Sequence, residues 1–245
     1  MNAPTGNFAA TRWTLVLAAK GGDTASQAAL SELCATYYAP VVTFLRASGR
    51  AEDAARDLAH TFFAGVLAGQ GLKGADRERG RFRSYLLGAL KNFLASEWDR
   101  ERAAKRGGGI EPASLDDTGT SGGVAAQIPA PEAAHLEWAF ERQWALTIID
   151  RALETVGAEL RAAGKGTHFE LLKPWLTGAA GALSQADAAR ELGVSESAAK
   201  VAIHRLRQRF REAVKKEIAQ TVPADADVDD ELRHLLAVLV ARGDG

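Results

Sequence analysis

Basic side chains recur at helical spacing near the C-terminal end of this 245-residue chain, and they are the first candidates for chemistry. Lys200, His204 and Arg207 follow one another at i, i+4 and i+7, so a helix would place them on one side. Cationic side chains on such a face neutralise phosphate oxygens, and neighbouring side chains such as Ser197 and Arg205 reach base edges. This pattern predicts recognition of nucleic acid.

Two helices and a tight turn must position these side chains. Gln185–Leu192 reads as a short helix, Gly193 suits a chain reversal at positive φ, and Ser195 suits the N-cap of a longer helix. The pattern is typical of a helix-turn-helix whose second helix enters a major groove. An ordinary helical hairpin with a solvated basic face is the alternative. The predicted duplex contacts are Ser195, Ser197, Lys200, His204, Arg205 and Arg207.

A second basic segment combines charge with aromatic rings. Residues 73–106 hold ten Lys or Arg against five Asp or Glu, and Arg81–Arg106 reads as one helix. Tyr85 and Trp98 lie among these charges, and flat rings next to cations suit unpaired bases and their phosphates. The alternative places both rings partly in a core.

Charge distribution explains why a nucleic-acid-binding protein can have a net charge of −1 and a pI of about 6.5. Residues 196–216 hold seven Lys or Arg against two Asp or Glu, whereas acidic residues concentrate in Glu111–Asp117 and Asp225–Glu231. Two basic faces separated by an acidic linker describe the chain better than its near-neutral net charge does.

Several classes of site find no support in the sequence. Cys34 is the single cysteine, which excludes a disulfide framework and predicts a core residue. Paired metal-binding histidines, a nucleophile elbow and a phosphate loop do not occur, so we expect no enzyme, no metal and no cofactor. We find no secretion signal and no apolar run near the roughly 20 residues that span a bilayer, so we expect a cytoplasmic protein without a membrane partner.

Hydrophobic periodicity predicts an all-α protein with two helical domains. We assign residues 10–106 to an N-terminal helical bundle, 107–131 to a flexible Gly/Pro-rich linker, 132–222 to the helix-turn-helix domain and 223–245 to a C-terminal extension. The extension contains an amphipathic helix with an apolar stripe of Leu232, Leu235, Leu236 and Leu239.

The order of these parts resembles the sigma-70 family of RNA polymerase sigma factors, and most closely its extracytoplasmic-function group. The resemblance covers nearly the whole chain between Trp13 and Val222. It is carried by Glu52–Phe63, by Phe82, Arg83, Tyr85, Leu86 and Asn92, and by Gly193, Val194, Ser195, Lys200, Ile203, His204, Arg205 and Arg207. The chain departs from the family pattern at His60, Thr61, Tyr85 and Ala202.

The resemblance implies a promoter-specificity factor with two DNA-facing surfaces. The helix-turn-helix would read the minus-35 element, and the linker would thread the RNA path of the polymerase. The residues that would bind core RNA polymerase are Glu52, Asp53, Asp57, His60 and Phe62. The residues that would open and hold the minus-10 element are the Lys73–Arg81 loop and Arg81, Arg83, Tyr85, Lys91, Asn92 and Trp98.

The implied partners are core RNA polymerase and promoter DNA, with an anti-sigma factor or the C-terminal helix itself as regulator. The C-terminal helix is expected to dock on one of the two domains, either as a structural cap or as a control on DNA access. Two other readings are a helix-turn-helix regulator that needs no polymerase, and a sigma-like protein that cannot melt DNA. Neither the promoter sequence nor the activating signal follows from the sequence.

Overall fold

The computed structural model describes residues 24–68, 81–105, 130–177, 184–222 and 227–241, and within these ranges the chain forms nine helices and no strand. The predicted all-α class is therefore confirmed. The Lys73–Arg81 loop, except Arg81, and the predicted linker, except residues 130 and 131, lie outside the described ranges. The helices are α1 (Thr24–Ala47), α2 (Glu52–Leu67), α3 (Phe82–Lys105), α4 (Ala130–Ala162), α5 (Gly166–Leu172), α6 (Pro174–Thr177), α7 (Gln185–Leu192), α8 (Glu196–Ala219) and α9 (Val228–Val240).

The chain divides into two compact units. One comprises Met1–Thr147 together with Ala219–Gly245, and the other is Ile148–Ile218. Residues 132–147 and 219–222 thus belong to the first unit, although the sequence analysis grouped them with the helix-turn-helix. The C-terminal extension belongs to the first unit as well. The functional names given to the predicted domains stay predictions.

The first unit has an aromatic core. Tyr37 of α1 packs edge-on against Phe82 of α3, with ring centroids 5.1 Å apart, and stacks at 6.2 Å on Phe140 of α4. The ring centroids of Phe62 in α2 and Phe93 in α3 lie 5.4 Å apart. Apolar side chains at helical spacing on all these helices are fully buried, and this burial of large rings stabilises the unit. Cys34 is buried here, as predicted.

The second unit has a smaller aliphatic core beneath the helix-turn-helix. Val156 and Leu160 of α4, Phe169 of α5, and Ile203 and Leu206 of α8 belong to one buried cluster. Ala188 of α7 is fully buried in the same cluster, and its small side chain permits close helix crossing, as the sequence predicts. This core holds α7 and α8 as a rigid pair.

Helix α1 corrects one expectation about hydropathy. Its segment Gln27–Ala47 is 21 residues long and is apolar enough to cross a membrane by length and composition alone. More than half of that segment is buried inside the protein. A buried core helix of a helical bundle passes the same test, because its apolar residues face neighbouring helices instead of lipid.

Candidate nucleic-acid interface

The start of α7 is fixed by a capping side chain. Ser184 Oγ accepts a hydrogen bond from the Asp187 backbone N–H at 3.1 Å and donates one to Asp187 Oδ2 at 2.6 Å. The hydrogen bond from Ser184, with a contribution from Arg190, lowers the pKa of Asp187. An ionised carboxylate at this end also suits the helix dipole. These contacts set where the first helix of the motif begins.

The turn between α7 and α8 depends on Gly193. Its φ of 65° and ψ of 29° are left-handed, and its N–H bonds the carbonyl of Arg190 at 3.1 Å. A side chain at this φ is strained, so glycine ends α7 at this position. Ser195 Oγ then accepts a hydrogen bond from the Ala198 N–H at 3.3 Å, which confirms the predicted cap of α8.

Helix α8 presents an exposed polar and basic strip. The exposed members share one face by their helical spacing; they are Ser197, Lys200, Val201, His204, Arg205 and Gln208. Lys200 Nζ lies 3.5 Å from Glu196 Oε1, and this surface pair leaves more than half of each side chain exposed. Arg207 is exposed at one edge, where Nη2 makes a long hydrogen bond of 3.5 Å to the Trp175 carbonyl. The strip can meet a polyanion without rearrangement of its backbone.

Arg83 contradicts its predicted role as an accessible DNA contact. It is only 5% exposed, and its guanidinium pairs with Glu141 of α4 and donates from Nε to Glu231 Oε1 of α9 at 3.1 Å. The same group lies 4.8 Å above the Trp144 ring. Burial by itself lowers the pKa of Arg83, but Glu141 and Glu231 outweigh this and raise the pKa above its ordinary value. Arg83 is thus a buried, fully charged cation that carboxylates enclose.

His234 of α9, which is half-buried, also contacts Arg83 and Glu141. Its Nε2 lies 3.0 Å from Arg83 Nη1 and 3.1 Å from Glu141 Oε2, and its ring lies 6.2 Å from the Trp144 ring. Contacts from α3, α4 and α9 therefore meet at one guanidinium.

The other predicted contacts on α3 are only partly accessible. Arg81 Nε lies 2.9 Å from Glu231 Oε2, and Lys91 forms an ion pair with Glu137 of α4. Tyr85, Asn92 and Trp98 are half-buried. The rings of Tyr85 and Trp98 are therefore neither fully open to unpaired bases nor fully buried in the core, which were the two alternatives. Tyr85 lies 6.0 Å from the core ring of Phe82. The residues of α3 predicted to hold opened DNA thus share one helix but lack one open face.

On α2, the predicted polymerase contacts divide into two groups. Asp53, Asp57 and His60 are exposed, and His60 Nε2 lies 2.9 Å from the Tyr38 hydroxyl oxygen. Glu52 pairs with Arg46 at 2.8 Å and with Arg56 at 2.9 Å. Phe62 has no exposed surface, because it faces Phe93 across the core, so its prediction as a polymerase contact is wrong.

Sequence reasoning missed two sets of residues. Glu141, Trp144 and Glu231 enclose Arg83, but no local periodicity links residues this far apart. Val201 is 48% exposed on the strip of α8, and its position four residues after Ser197 was a usable signal. The signal for Glu231 was weaker, namely that it precedes buried Leu235 by one helical turn.

Metal and family comparisons identify no further site. Within the described residues, no group of three or more His, Cys, Asp or Glu side chains is arranged to hold a metal ion. No protein-family model matches the chain, and no curated protein or solved structure shows significant similarity to it.

Proposed function

We propose that the chain is a promoter-specificity (sigma) factor that binds core RNA polymerase and starts transcription. The helix-turn-helix reads a minus-35 element, and the N-terminal unit holds the opened minus-10 element. The observation that carries the proposal is the geometry of α7, Gly193 and α8. The left-handed turn and the Ser195 cap support an exposed strip of Ser197, Lys200, His204 and Arg205.

The chemistry of the strip fits duplex recognition. Lys200 and Arg205 supply charge for phosphate oxygens, while Ser197 and His204 supply hydrogen-bonding groups of the size that reaches base edges. Val201 adds an apolar patch that can contact a thymine methyl group. A rigid helix supported by a buried core positions these groups with little entropic cost on binding.

Helix α2 supports polymerase binding by its exposed acidic side chains. Asp53 and Asp57 are exposed and lie one helical turn apart, whereas Ala55 and Ala59 on the opposite side are fully buried. An amphipathic helix with an acidic outer face can dock on a basic helical partner, and charge complementarity then fixes orientation. A near-neutral net charge suits such a protein, because each DNA-binding half is weak until both engage one promoter.

Multi-round transcription with purified core RNA polymerase and a promoter library tests the proposal. We expect transcripts only when the full chain is added, and we expect Arg205→Gln to lower promoter binding several-fold with a shallower salt dependence. Arg161→Gln is the matched control, because Arg161 is an exposed cation of the same unit on α4. Failure of the chain to associate with core polymerase would refute the proposal.

A second candidate function follows from the burial of Arg83. A helix-turn-helix regulator that needs no polymerase would use only α8, and its Arg83 could serve structure alone. That function predicts tight duplex binding by the purified chain, with no gain on adding core polymerase. The sigma proposal predicts weak binding that polymerase strengthens, so one binding titration separates the two.

A further inference from the structure

The first turn of α9 lies against the start of α3 through ionic contacts. Glu231 Oε1 accepts a hydrogen bond from Arg83 Nε at 3.1 Å, and Glu231 Oε2 lies 2.9 Å from Arg81 Nε. Asp230 Oδ2 approaches Arg81 Nη2 at 3.8 Å. Arg83 of α3 and Arg81 just before it therefore face two neighbouring carboxylates of α9, of which Asp230 also pairs with Arg233 at 3.0 Å.

A capping side chain fixes the start of α9, and a backbone hydrogen bond joins the end of the preceding segment to α3. The Asp227 side chain caps α9 by accepting hydrogen bonds from the backbone N–H groups of Asp229 and Asp230, at 2.9 Å and 3.3 Å. Upstream of α9, the Thr221 carbonyl accepts a hydrogen bond from the Phe82 N–H at 3.1 Å. Thr221 is thus bonded to the N-terminal end of α3.

The choice of a carboxylate at position 231 is informative. Glu231 is 1% exposed, while Asp229 and Asp230 beside it are exposed. Burying an ionic pair costs desolvation energy, and a well-packed apolar residue often stabilises a protein as much or more. An ionic contact differs from an apolar one in a second respect, since phosphate oxygens can replace carboxylate oxygens around a guanidinium.

The far side of Arg83 is held independently of α9. Glu141 pairs with the guanidinium from α4, and the Trp144 ring lies 4.8 Å from it. Departure of α9 would remove Glu231 and His234 but leave Glu141 and Trp144 beside the guanidinium, so an incoming anion could take the place of Glu231 next to Arg81 and Arg83.

We infer that α9 is an acidic intramolecular ligand that occupies a nucleic-acid-binding surface at the start of α3, and that the phosphates of unpaired DNA displace it. The inference rests on the proposed function, which places the opened strand on the N-terminal unit. Glu231 and Asp230 stand where two phosphates of that strand would bind. Helix α9 thereby keeps the surface closed until DNA has been opened.

Full-length Glu231→Gln tests the inference, with a labelled single-stranded oligonucleotide as the probe. The amide keeps the size of the side chain but loses its charge, so we expect about tenfold tighter binding of the oligonucleotide. Asp230→Asn should tighten binding about twofold, because its pair is longer and exposed. Glu132→Gln is the matched control, an exposed carboxylate in the first turn of α4 that should leave affinity unchanged.

Hydrogen exchange supplies the second readout. Adding the oligonucleotide to the unaltered protein should accelerate exchange of the backbone amides of α9, since displaced helices lose protection. A merely structural α9 would keep its exchange rate while DNA binds elsewhere. Far-ultraviolet circular dichroism establishes that each variant is folded.

The outcomes separate the inference from the proposed function. Equal oligonucleotide affinity for Glu231→Gln and the unaltered protein, together with polymerase-dependent transcription, would overturn the inference alone. Absence of any association with polymerase or DNA would overturn both. If Glu231→Gln does not fold, Asp230→Asn decides, and unchanged affinity in that folded variant overturns the inference.

Discussion

Helices α3 and α8 carry similar patterns of basic residues, but their charges differ in burial and in pairing. On α8, Lys200, His204 and Arg205 are exposed, and Lys200 pairs with Glu196 of its own helix. On α3, Arg83 is buried, and Arg81 pairs with a carboxylate of a distant helix. A basic helix therefore offers its charges directly to a partner only where no other element supplies carboxylates to them.

Burial gives these two kinds of charge different energetic weight. Exposed ion pairs such as Lys200 with Glu196 contribute about 0–1 kcal/mol, because water and salt screen them. A buried pair is different, since removal of one partner leaves the other charge desolvated at a cost of about 3–5 kcal/mol. Buried charges at the start of α3 should therefore affect stability strongly, whereas the exposed charges of α8 should affect it little.

Replacing Arg83 should have the largest effect. Arg83→Met keeps most of the side-chain volume but leaves Glu141 and Glu231 without their shared cation, so we expect a loss of about 3–5 kcal/mol in the free energy of unfolding. Urea unfolding followed by circular dichroism measures it. Arg205→Met on the exposed strip is the matched control and should change stability by no more than about 0.5 kcal/mol. Equal losses in the two variants would remove the contrast between the helices.

Alkaline pH should weaken the first unit through its buried acids. Burial raises the pKa of the Cys34 thiol from 9.0 to about 12, and it raises the pKa of Tyr37 above its ordinary value of 10.0. Each group stays protonated in the folded state, so its contribution is complete below the unfolded pKa and is lost as pH rises above it. The free energy of unfolding should fall by about 1.4 kcal/mol per pH unit for each such group.

Unfolding at pH 8 to 11 tests this dependence against Cys34→Val. The variant keeps an apolar side chain in the core but removes the thiol, so its stability should begin to decline only above pH 10, where Tyr37 contributes. An identical pH profile for both proteins would show that Cys34 titrates as it does in the unfolded chain.

Local features were predictable from sequence, and long-range ones were not. The bounds of α7 and the start of α8 follow from Gly193 and Ser195, because caps and turns are set by neighbouring residues. The burial of Arg83 depends on Glu231, which is 148 residues away along the chain. The spacing of basic residues is the same whether a helix faces water or the carboxylates of another helix.

The apolar stripe of α9 illustrates the same limit. Leu232 and Leu235 are buried as predicted, but Leu236 is 52% exposed and Glu231 takes a place on the buried side. Hydropathy predicts that a glutamate faces solvent unless its partner is known. The predicted stripe is therefore rotated slightly about the helix axis from the side that is buried in the structure. The prediction for Phe62 differs from the structure for a related reason, since an aromatic residue in such a motif can either pack in the core or contact a partner.

Two glycines should respond to alanine in opposite directions. Gly193→Ala forces a side chain into φ of 65° at the turn before α8, so we expect a loss of about 1 kcal/mol. Gly88→Ala lies within α3, where an added Cβ meets nothing within 4 Å, and helix propensity predicts a gain of about 1 kcal/mol. Thermal unfolding compares them. A stabilising Gly193→Ala would mean that the turn is not left-handed in solution.

The smallest stability effect is expected at Lys200, and it sharpens the contrast with Arg83. Lys200→Gln removes a surface pair with Glu196, so the free energy of unfolding should change by less than about 0.5 kcal/mol. If α8 contacts duplex DNA through this strip, the same variant should lower the slope of log affinity against log salt by about 1, because one phosphate contact is lost. Duplex titrations from 50 to roughly 200 mM salt measure that slope. A stability loss near that of Arg83→Met, with an unchanged slope, would make α8 a structural basic helix like α3.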